Sequence, residues 1–299
     1  MSQSFCWARL PRAGLGNKLL VWGRAVIFAR LNDLPLWVTG FNKIRIGPIL
    51  RGERSRYYFR QFSHGSGDLC RRWLRALLFL PRVIEPAVAP RAKSKGELYV
   101  FQQSPHWSDY FAGIREHRHV IQTELPRWIS QSIRSAVEDS APPVISVHVR
   151  CGDFRELRAN ENFARVGLVR TPLQYFDDAI QLIRSVAGRD LPVTIFSDGA
   201  KEDIAQLLRL PNVQKSPTRA ALADLLVMSR SRIIIPSAGS TFSYWAAFLS
   251  EAAVMLHPQH IHSPMRPSEV NQLFYEGPTP SNQSDCPVLL RENIQAAAE

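Results

Sequence analysis

At 299 residues, with 45% hydrophobic and 21% charged side chains, the chain has the length and apolar content for two domains with buried cores. It holds no run of the ~20 apolar residues that a membrane-spanning helix needs, since Arg24 interrupts 19–28 and Arg75 interrupts 73–80. The net charge of +11 is uneven: residues 1–100 hold 18 Lys/Arg against 5 Asp/Glu and the remainder is close to neutral, yet no zinc-finger spacing, aromatic RNA-binding signature or basic heptad region accompanies it, so nucleic acid is not the expected partner.

In chain order, residues 5–10 form a short apolar run that predicts a strand. Gly14-Leu15-Gly16-Asn17 follows, then an amphipathic helix over 18–31. A strand, a Gly-rich turn and a helix can set backbone N–H groups against a phosphate, although Gly-x-Gly also marks ordinary tight turns. A second strand is expected over 34–38. Residues 40–60 form a basic loop region in which Lys43, Arg45, Arg51, Arg54, Arg56 and Arg60 alternate with Tyr57, Tyr58 and Phe59. That mixture suits sugar or lipid-headgroup contacts, and equally aromatics packed on a core with arginines in water. A helix over 70–81, a Pro- and Ala-rich linker over 81–95 and a strand over 98–101 come next. Trp107 and Tyr110 precede a helix over 120–137. Residues 138–143, Glu-Asp-Ser-Ala-Pro-Pro, predict a boundary between a domain 1–141 and a domain 142–299.

The second half opens on a β-branched strand over 144–149, closed off upstream by Pro142 and Pro143. It runs into His148-Val149-Arg150-Cys151-Gly152-Asp153. His148 and Arg150 are two apart and share a face, and Gly152 frees the turn. Ligands of open α/β sheets bind outside the carboxyl ends of strands. An arginine fixed there suits phosphate, because its planar fork is always charged. The other reading of Arg150 is a structural ion pair with Asp153. Residues 155–170 are charged and irregular, a candidate active-site loop containing Glu156 and Glu161. Thr171 is expected to cap, and Pro172 to open, a helix to 187. A strand over 193–196 ends at Ser197-Asp198, and Asp198 is expected to cap a helix over 201–210. A helix over 220–229 contains Asp224, and a strand over 232–235 follows. Ser237-Ala238-Gly239-Ser240-Thr241-Phe242 then turns into a helix reaching 250. Such a turn offers hydroxyls, N–H groups and the positive end of a helix dipole to a diphosphate, or a plain cap by Ser240 or Ser237. A strand over 254–256 closes the pattern, and 258–299, with a short helical end, takes no role.

Taken together these segments resemble a known family. His148-x-Arg150-x-Gly152-Asp153 resembles the His-x-Arg-x-Gly-Asp segment of the α-1,2-fucosyltransferases and their wider GDP-fucose-using superfamily. Gly14-Leu-Gly16-Asn17-Lys18 is similar to that family's Gly-Leu-Gly-Asn-Gln, with Lys for Gln. Ile-Phe-Ser197-Asp198 resembles its Phe-Ser-Asp strand end. Asp224-Leu-Leu-Val-Met228-Ser229 and Ser240-Thr241-Phe242-Ser243-Tyr244-Trp245 resemble its Asp-x-x-x-Met-Ser and Ser-x-Phe-Ser-Trp-Trp runs, with Tyr244 for the first Trp. Cys151 stands where the family commonly has a second Arg, and Ala238-Gly239 where it has an Asn.

The resemblance implies an α/β fold of two Rossmann-like domains facing across a cleft, the GT-B type. It implies an inverting transfer of L-fucose from GDP-fucose to a glycan hydroxyl, α-1,2-linked. Gly14, Gly16, Asn17, His148, Arg150, Asp198, Asp224, Ser240, Thr241 and Phe242 are then the donor-binding candidates, with Asp224 on the guanine ring and the first domain on the acceptor side. Arg150 stabilises the leaving diphosphate, since donors aimed at developing charge accelerate the reaction. Of the carboxylates able to take the acceptor's proton, Asp153, Glu156 and Glu161, Glu156 is preferred because Asp153 is expected to hold the turn or Arg150. No Asp-x-Asp motif is present, so no metal or cofactor is expected beyond the donor substrate itself. The alternatives are a non-catalytic GDP- or glycan-binding protein of the same fold and a transferase using another GDP-sugar. The four cysteines, Cys6, Cys70, Cys151 and Cys286, lie far apart and read as reduced thiols. With no charged and apolar leader at its start, the chain is expected in the cytoplasm, where its basic first third is suited to an anionic acceptor or peripheral contact with a membrane.

Overall fold

β-Branched runs alternate with longer apolar stretches along this chain, and the product is an α/β structure with two all-parallel sheets, as the sequence predicts. The structure is a computed structural model that describes residues 3–41, 58, 60–63, 79–91 and 96–299. It divides into two units: Met1–Ala136 with Ala220–Leu222, and Val137–Arg219 with Ala223–Glu299.

In the first unit, β1 (Phe5–Arg9), β2 (Leu36–Thr39), β3 (Arg82–Ile84) and β4 (Leu98–Phe101) form a sheet in the order β2-β1-β4-β3. Helix α1 (Leu15–Leu31) buries Leu19, Leu20, Trp22, Val26 and Phe28 completely. A helix apolar on most of its circumference belongs inside a core. It stops where Asn32 turns its side-chain Nδ2 back onto Phe28 O (2.9 Å) and Asp33 adopts a left-handed φ of +51°.

Two expectations in this unit are corrected. Residues 120–137 form two helices, α2 (Arg118–Trp128) and α3 (Gln131–Glu138). Between them Ile129 is extended and bridges antiparallel to Phe62, with Ser63 N donating to Trp128 O (2.9 Å) and Ser130 N to Gln61 O (3.0 Å). Pro126, in the last turn of α2, already lacks the N–H a continuing helix would use. The linker expected over 81–95 contains β3, an edge strand of three residues, too short to show alternation. Of the basic aromatic stretch, Lys43, Arg45, Arg51, Arg54, Arg56, Tyr57 and Phe59 lie outside the described residues, as does the helix expected over 70–81 up to residue 78.

The second unit is built on β5 (Ile145–Val149), β6 (Val193–Ser197), β7 (Val213–Lys215), β8 (Ile233–Ile235), β9 (Ala253–Leu256) and β10 (Glu276–Pro278), in the order β10-β9-β8-β5-β6-β7. Its helices are α4 (Leu173–Ala187), α5 (Ala205–Leu208), α6 (Ala221–Met228), α7 (Thr241–Leu249), α8 (Ser268–Asn271) and α9 (Val288–Ala298). Ile145, Val147 and Val149 of β5 share one core with Phe176, Ile180 and Ile183 of α4 and with Leu290 and Ile294 of α9. The strands run outward from β5 on one side and from β8 on the other, so the topological switch point lies between these two.

The segment 258–299 is structural. β10 extends the sheet beside β9, and α9 seals the core. Arg266 is 0% exposed and Glu276 2%, with Arg266 Nε on Glu276 Oε2 at 3.0 Å. The remaining Arg266 donors reach the carbonyls of Ser250, Ala252, Phe274 and Tyr275, which ties three strand connections to one guanidinium. Breaking a buried pair strands the surviving charge and typically costs ~3–5 kcal/mol. Glu276→Ala is therefore expected to lower the unfolding free energy read from urea denaturation by that order, whereas replacing the exposed neighbour Glu269 leaves it within error.

Candidate functional site

The site begins with the register of two parallel strands. Val149 of β5 pairs with Ser197 of β6, so the residues that follow, Arg150 and Asp198, emerge side by side at the carboxyl edge. Asp198 Oδ1 accepts from the N–H of Cys151 (2.8 Å) and of Gly152 (3.2 Å). Its other oxygen accepts from Arg150 Nη1. Asp198 therefore does not cap the following helix. Asp203, inside that turn, accepts from Ala200 N at its Oδ2 (2.8 Å), and the N-cap residue Lys201 makes no side-chain capping bond. Gly152 is required here: a Cβ at that position would overlap the Asp198 carboxylate.

The Arg150 guanidinium is held at two points. Nη1 lies on Asp198, whose side chain is 10% exposed, and Nη2 on Asp153 Oδ1 (2.5 Å), whose side chain is 47% exposed. The Phe154 ring lies under the fork, 5.9 Å from centroid to Cζ. Both sequence readings of Arg150 thus meet in one residue: it is ion-paired, and it stands at the strand end beside the switch point.

The β8 side is stitched to β5 by Ser237. Its buried hydroxyl accepts from Arg150 N (2.8 Å) and donates to His148 O (2.7 Å). Ser237 is thus a cross-strand tie and not a cap. Ser240 is the N-cap of α7, but its side chain makes no capping bond. The first-turn N–H groups of Thr241, Phe242 and Ser243 carry the positive end of the helix dipole. Gly239, at a φ of +68°, makes the turn, and its N–H donates to the Tyr244 hydroxyl (2.9 Å). Thr171, expected as a helix cap, instead accepts from Ala238 N (3.0 Å), and Pro172 takes the N-cap position of α4.

His148 is buried against the Phe242 ring (centroids 5.0 Å), and its Nδ1 has no hydrogen-bond partner. Burial drives its pKa down to about 3, Asp198 pulling it back up and Arg150 adding to the fall. The imidazole is neutral near pH 7, so it can offer a hydrogen bond but not a charge. Cys151 is buried too, its Sγ 3.7 Å from Ser197 Oγ, and burial pushes its thiol up. Such a thiol is unreactive.

The loop 155–170 is pinned rather than loose. Arg155 and Leu168–Arg170 close its neck, with Arg155 N on Leu168 O (3.1 Å) and Arg170 N on Arg155 O (2.8 Å). Inside it, Arg155 grips both oxygens of Glu161 at 2.6 and 2.7 Å. These bonds, with Arg158 N, hold the Glu161 carboxyl down at about 2, so it is no base for an acceptor hydroxyl. Phe163 is seated against the rings of His257 and His260 (4.7 and 4.4 Å), and His260 Nε2 donates to Phe163 O (2.6 Å). Glu156 is 84% exposed, 3.6 Å from Arg170, which in turn binds Asp203 at 2.9 Å.

Asp224, in the first turn of α6, makes its contacts with Ser216 Oγ (3.3 Å) and Arg219 (3.5 Å). In the first unit, Gly14 is the N-cap of α1, Gly16 is buried in its first turn, and Asn17 Oδ1 is buried without a partner. Lys18 turns inward, its ammonium on Gly40 O and over the Tyr58 ring (5.7 Å). The structure therefore joins His148, Arg150, Asp153, Asp198 and the Ser240–Phe242 turn through direct contacts. Ser237, Thr171, Phe163 and His260 were not legible as site residues, because a lone hydroxyl or ring carries no signal until strand neighbours are known. Among the described residues no cluster of three or more His, Cys, Asp or Glu is placed to hold a metal ion.

No family model and no curated protein matches this chain. Solved structures do. The chain is similar to the fucosyltransferase NodZ from Bradyrhizobium, at 16% identity over 87% of this chain and 98% of that one, with a TM-score of 0.58. It is also similar to a NodZ α-1,6-fucosyltransferase co-crystallized with GDP (16% identity, 84% and 94% covered, TM-score 0.53) and to one soaked with GDP-fucose (17%, 84% and 94%, TM-score 0.50). At these identities what is shared is the fold, the α/β class that the motif resemblance implied.

Burial pushes the Asp224 carboxyl up to about 6, with Arg219 and Ser216 opposing. A carboxyl whose folded pKa lies above its unfolded value favours the folded state while protonated. That contribution is complete below about pH 4 and is lost as the pH rises through about 6. Relative to Asp224→Asn, the wild type is expected to lose on the order of 2 kcal/mol between pH 4 and pH 7. Thermal unfolding of both proteins across that range reads the difference, and parallel curves would contradict the assignment.

Proposed function

We propose that this protein is an inverting glycosyltransferase that moves L-fucose from GDP-fucose to a hydroxyl of a glycan acceptor. The observation that carries the reading is the Arg150 fork at the switch-point end of β5, tied through Ser237 to the turn that opens α7. A guanidinium and a helix N-terminus are the two groups best suited to a diphosphate. The shared fold with structures whose names include GDP and GDP-fucose, and the matching motifs, support the same donor.

Each residue then has a role. Arg150 takes negative charge as the bond between C1 of the sugar and the diphosphate breaks, and the N–H groups of Thr241 and Phe242 do so from the α7 side. Because these groups are fixed before the reaction, they cost little reorganisation when the charge develops. Neutral His148 offers its unpartnered ring nitrogen to the nucleotide. Asp224, ionised, accepts from the N–H groups of guanine, which adenine and uracil do not present in that pattern. The acceptor is a glycan, anionic or membrane-linked acceptors suiting the basic first third. The linkage that the motifs favour is α-1,2, and mass and linkage analysis of the product separates it from α-1,6.

The nucleotide test is direct. GDP is expected to raise the melting temperature well above ADP and UDP at equal concentration, and its affinity to fall as the pH drops through about 6, where Asp224 takes up a proton. Equal shifts from all three nucleotides would reject the donor assignment. Arg150→Ala leaves Asp198 with its two backbone donors, so the variant is expected to fold. Losing one preorganised donor to a developing anion typically costs ~10²–10³ in kcat. Arg150→Lys keeps the charge without the fork and recovers only part of the rate. A folded Arg150→Ala that turns over within a few-fold of wild type would overturn the role.

A further inference from the structure

Asp224 carries the base recognition proposed above, and a carboxyl inside a protein is drawn to the wrong state for that task. Guanine presents N–H donors, which bind an ionised carboxylate about twice as strongly as a neutral acceptor. A protonated carboxyl has its own hydrogen to place and less acceptor capacity to offer. Burial favours that protonated form. Something in the protein must pull the other way.

Two side chains from the connection between β7 and α6 touch Asp224, and both fall on one oxygen. Ser216 Oγ lies 3.3 Å from Asp224 Oδ1, and Arg219 Nη1 lies 3.5 Å from the same atom. Arg219 Nη1 also donates to Ser216 Oγ at 2.7 Å. The three groups close a triangle that is anchored to the sheet, because Ser216 N donates to Ile195 O of β6 at 2.8 Å. Asp224 Oδ2 takes no hydrogen bond from the described residues, and the side chain keeps 24% of its surface open. Among the described residues, the side chains acting on this carboxyl are Arg219 and Ser216, both opposing the effect of burial. The start of α6, where Asp224 sits in the first turn, adds the positive end of its dipole.

We infer that Arg219 is a positioning residue for base recognition: seated on Oδ1, it keeps Asp224 ionised and leaves Oδ2 open to the N–H donors of a guanine ring. The inference rests on the reading above that Asp224 receives guanine. Ser216 alone cannot do this work, since a hydroxyl supplies a hydrogen bond but no charge. Nor does Arg219 compete with the nucleobase, because its contact and the open acceptor are on different oxygens. A lysine at 219 would retain the positive charge, and with it most of the effect.

The test titrates the full chain with GDP from pH 5 to 8.5, using wild type, Arg219→Met and Arg219→Lys. Arg219→Met is repeated in an Asp224→Asn background. Removing an opposite charge this near, on a partly exposed pair, is expected to raise the midpoint of the GDP-affinity profile by about one pH unit. Binding to Arg219→Met is then about 3–10-fold weaker than wild type at pH 6, and equal at pH 8.5, where Asp224 is ionised in both proteins. Arg219→Lys is expected to stay near wild type. In the Asp224→Asn background, Arg219→Met is expected to change nothing. A wild-type midpoint in Arg219→Met overturns the inference. So does an equal loss at every pH in both backgrounds, which an arginine that touches the nucleotide, or a merely structural one, would give. The carboxyl's own titration, followed by carbon NMR without nucleotide, separates this inference from the guanine reading. A midpoint that rises in Arg219→Met, in a protein that binds GDP no better than ADP or UDP, upholds the hold of Arg219 on Asp224 and rejects guanine as its ligand.

Discussion

The carboxylate of Asp198 is the constraint on which the rest of the site depends. One oxygen gathers two consecutive backbone N–H groups, at Cys151 and Gly152, and the other takes Arg150. Without it the chain leaving β5 would lose the partner of two backbone donors and one of the two holds on the Arg150 guanidinium. The arrangement needs three facts of sequence together. β5 and β6 must be neighbours in the register that sets Val149 beside Ser197. Residue 198 must be an acid short enough to stay at the strand end. Residue 152 must lack a side chain, since a Cβ would occupy the carboxylate's place. Charge-assisted bonds to backbone N–H are among the stronger ones available, so a turn held this way is stiff, and stiffness is what an anion site requires before the anion arrives.

The other walls of the site are stiffened by hydroxyls that sequence reading assigned elsewhere. Ser237 bridges the backbone of β5 to the connection after β8, Thr171 holds Ala238, and Tyr244 holds Gly239. Each replaces a local capping bond with a tie between segments distant in the chain. The loop 155–170 gets the same treatment from the Arg155–Glu161 pair and from Phe163 between two histidines. Burial lowers His257 to about 4, helped by His260, so that ring packs as a neutral aromatic near pH 7. Loop backbone that would otherwise sample many conformers is thereby tied by bonds within the protein.

How much of this was legible follows from range. The strands of the sheet centres were plain, because Ile145–Val149 and Ile233–Ile235 are β-branched and wholly buried. The edge strands at Arg82–Ile84, Val213–Lys215 and Glu276–Pro278 were not, since three residues cannot show a period of two. The single helix expected over 120–137 failed at Ile129 for a tertiary reason, a pairing with residues 61–63 that no local pattern announces. Arg266 lies in the stretch that took no role from the sequence, and it is the buried knot of the C-terminal segment. At the site, Arg150 and its glycine turn were visible because strand end, fork and small residue are adjacent in sequence. Asp198 was misread because capping is the commonest local fate of such a residue, and its true partners lie 46 to 48 residues away.

Three departures from the motifs that the chain resembles are each met by local packing. Cys151 stands where a second arginine is usual, yet its side chain points inward. Its Sγ lies beside Ser197, and a Cβ on Gly199 would press on it at 2.6 Å, so the pocket is shaped for a small group. Tyr244 stands for a tryptophan, and its hydroxyl accepts from Gly239 N, a bond an indole, which only donates, could not make. Lys18 stands for a glutamine and spends its charge on Gly40 O within the first unit. In each case the substituted side chain is absorbed by its own packing. The groups that face the carboxyl edge are those the pattern retains: Arg150, the ring of Phe242 over His148, and the turn that opens α7. The substituted side chains thus alter the support and leave in place the groups that the proposed anion would meet.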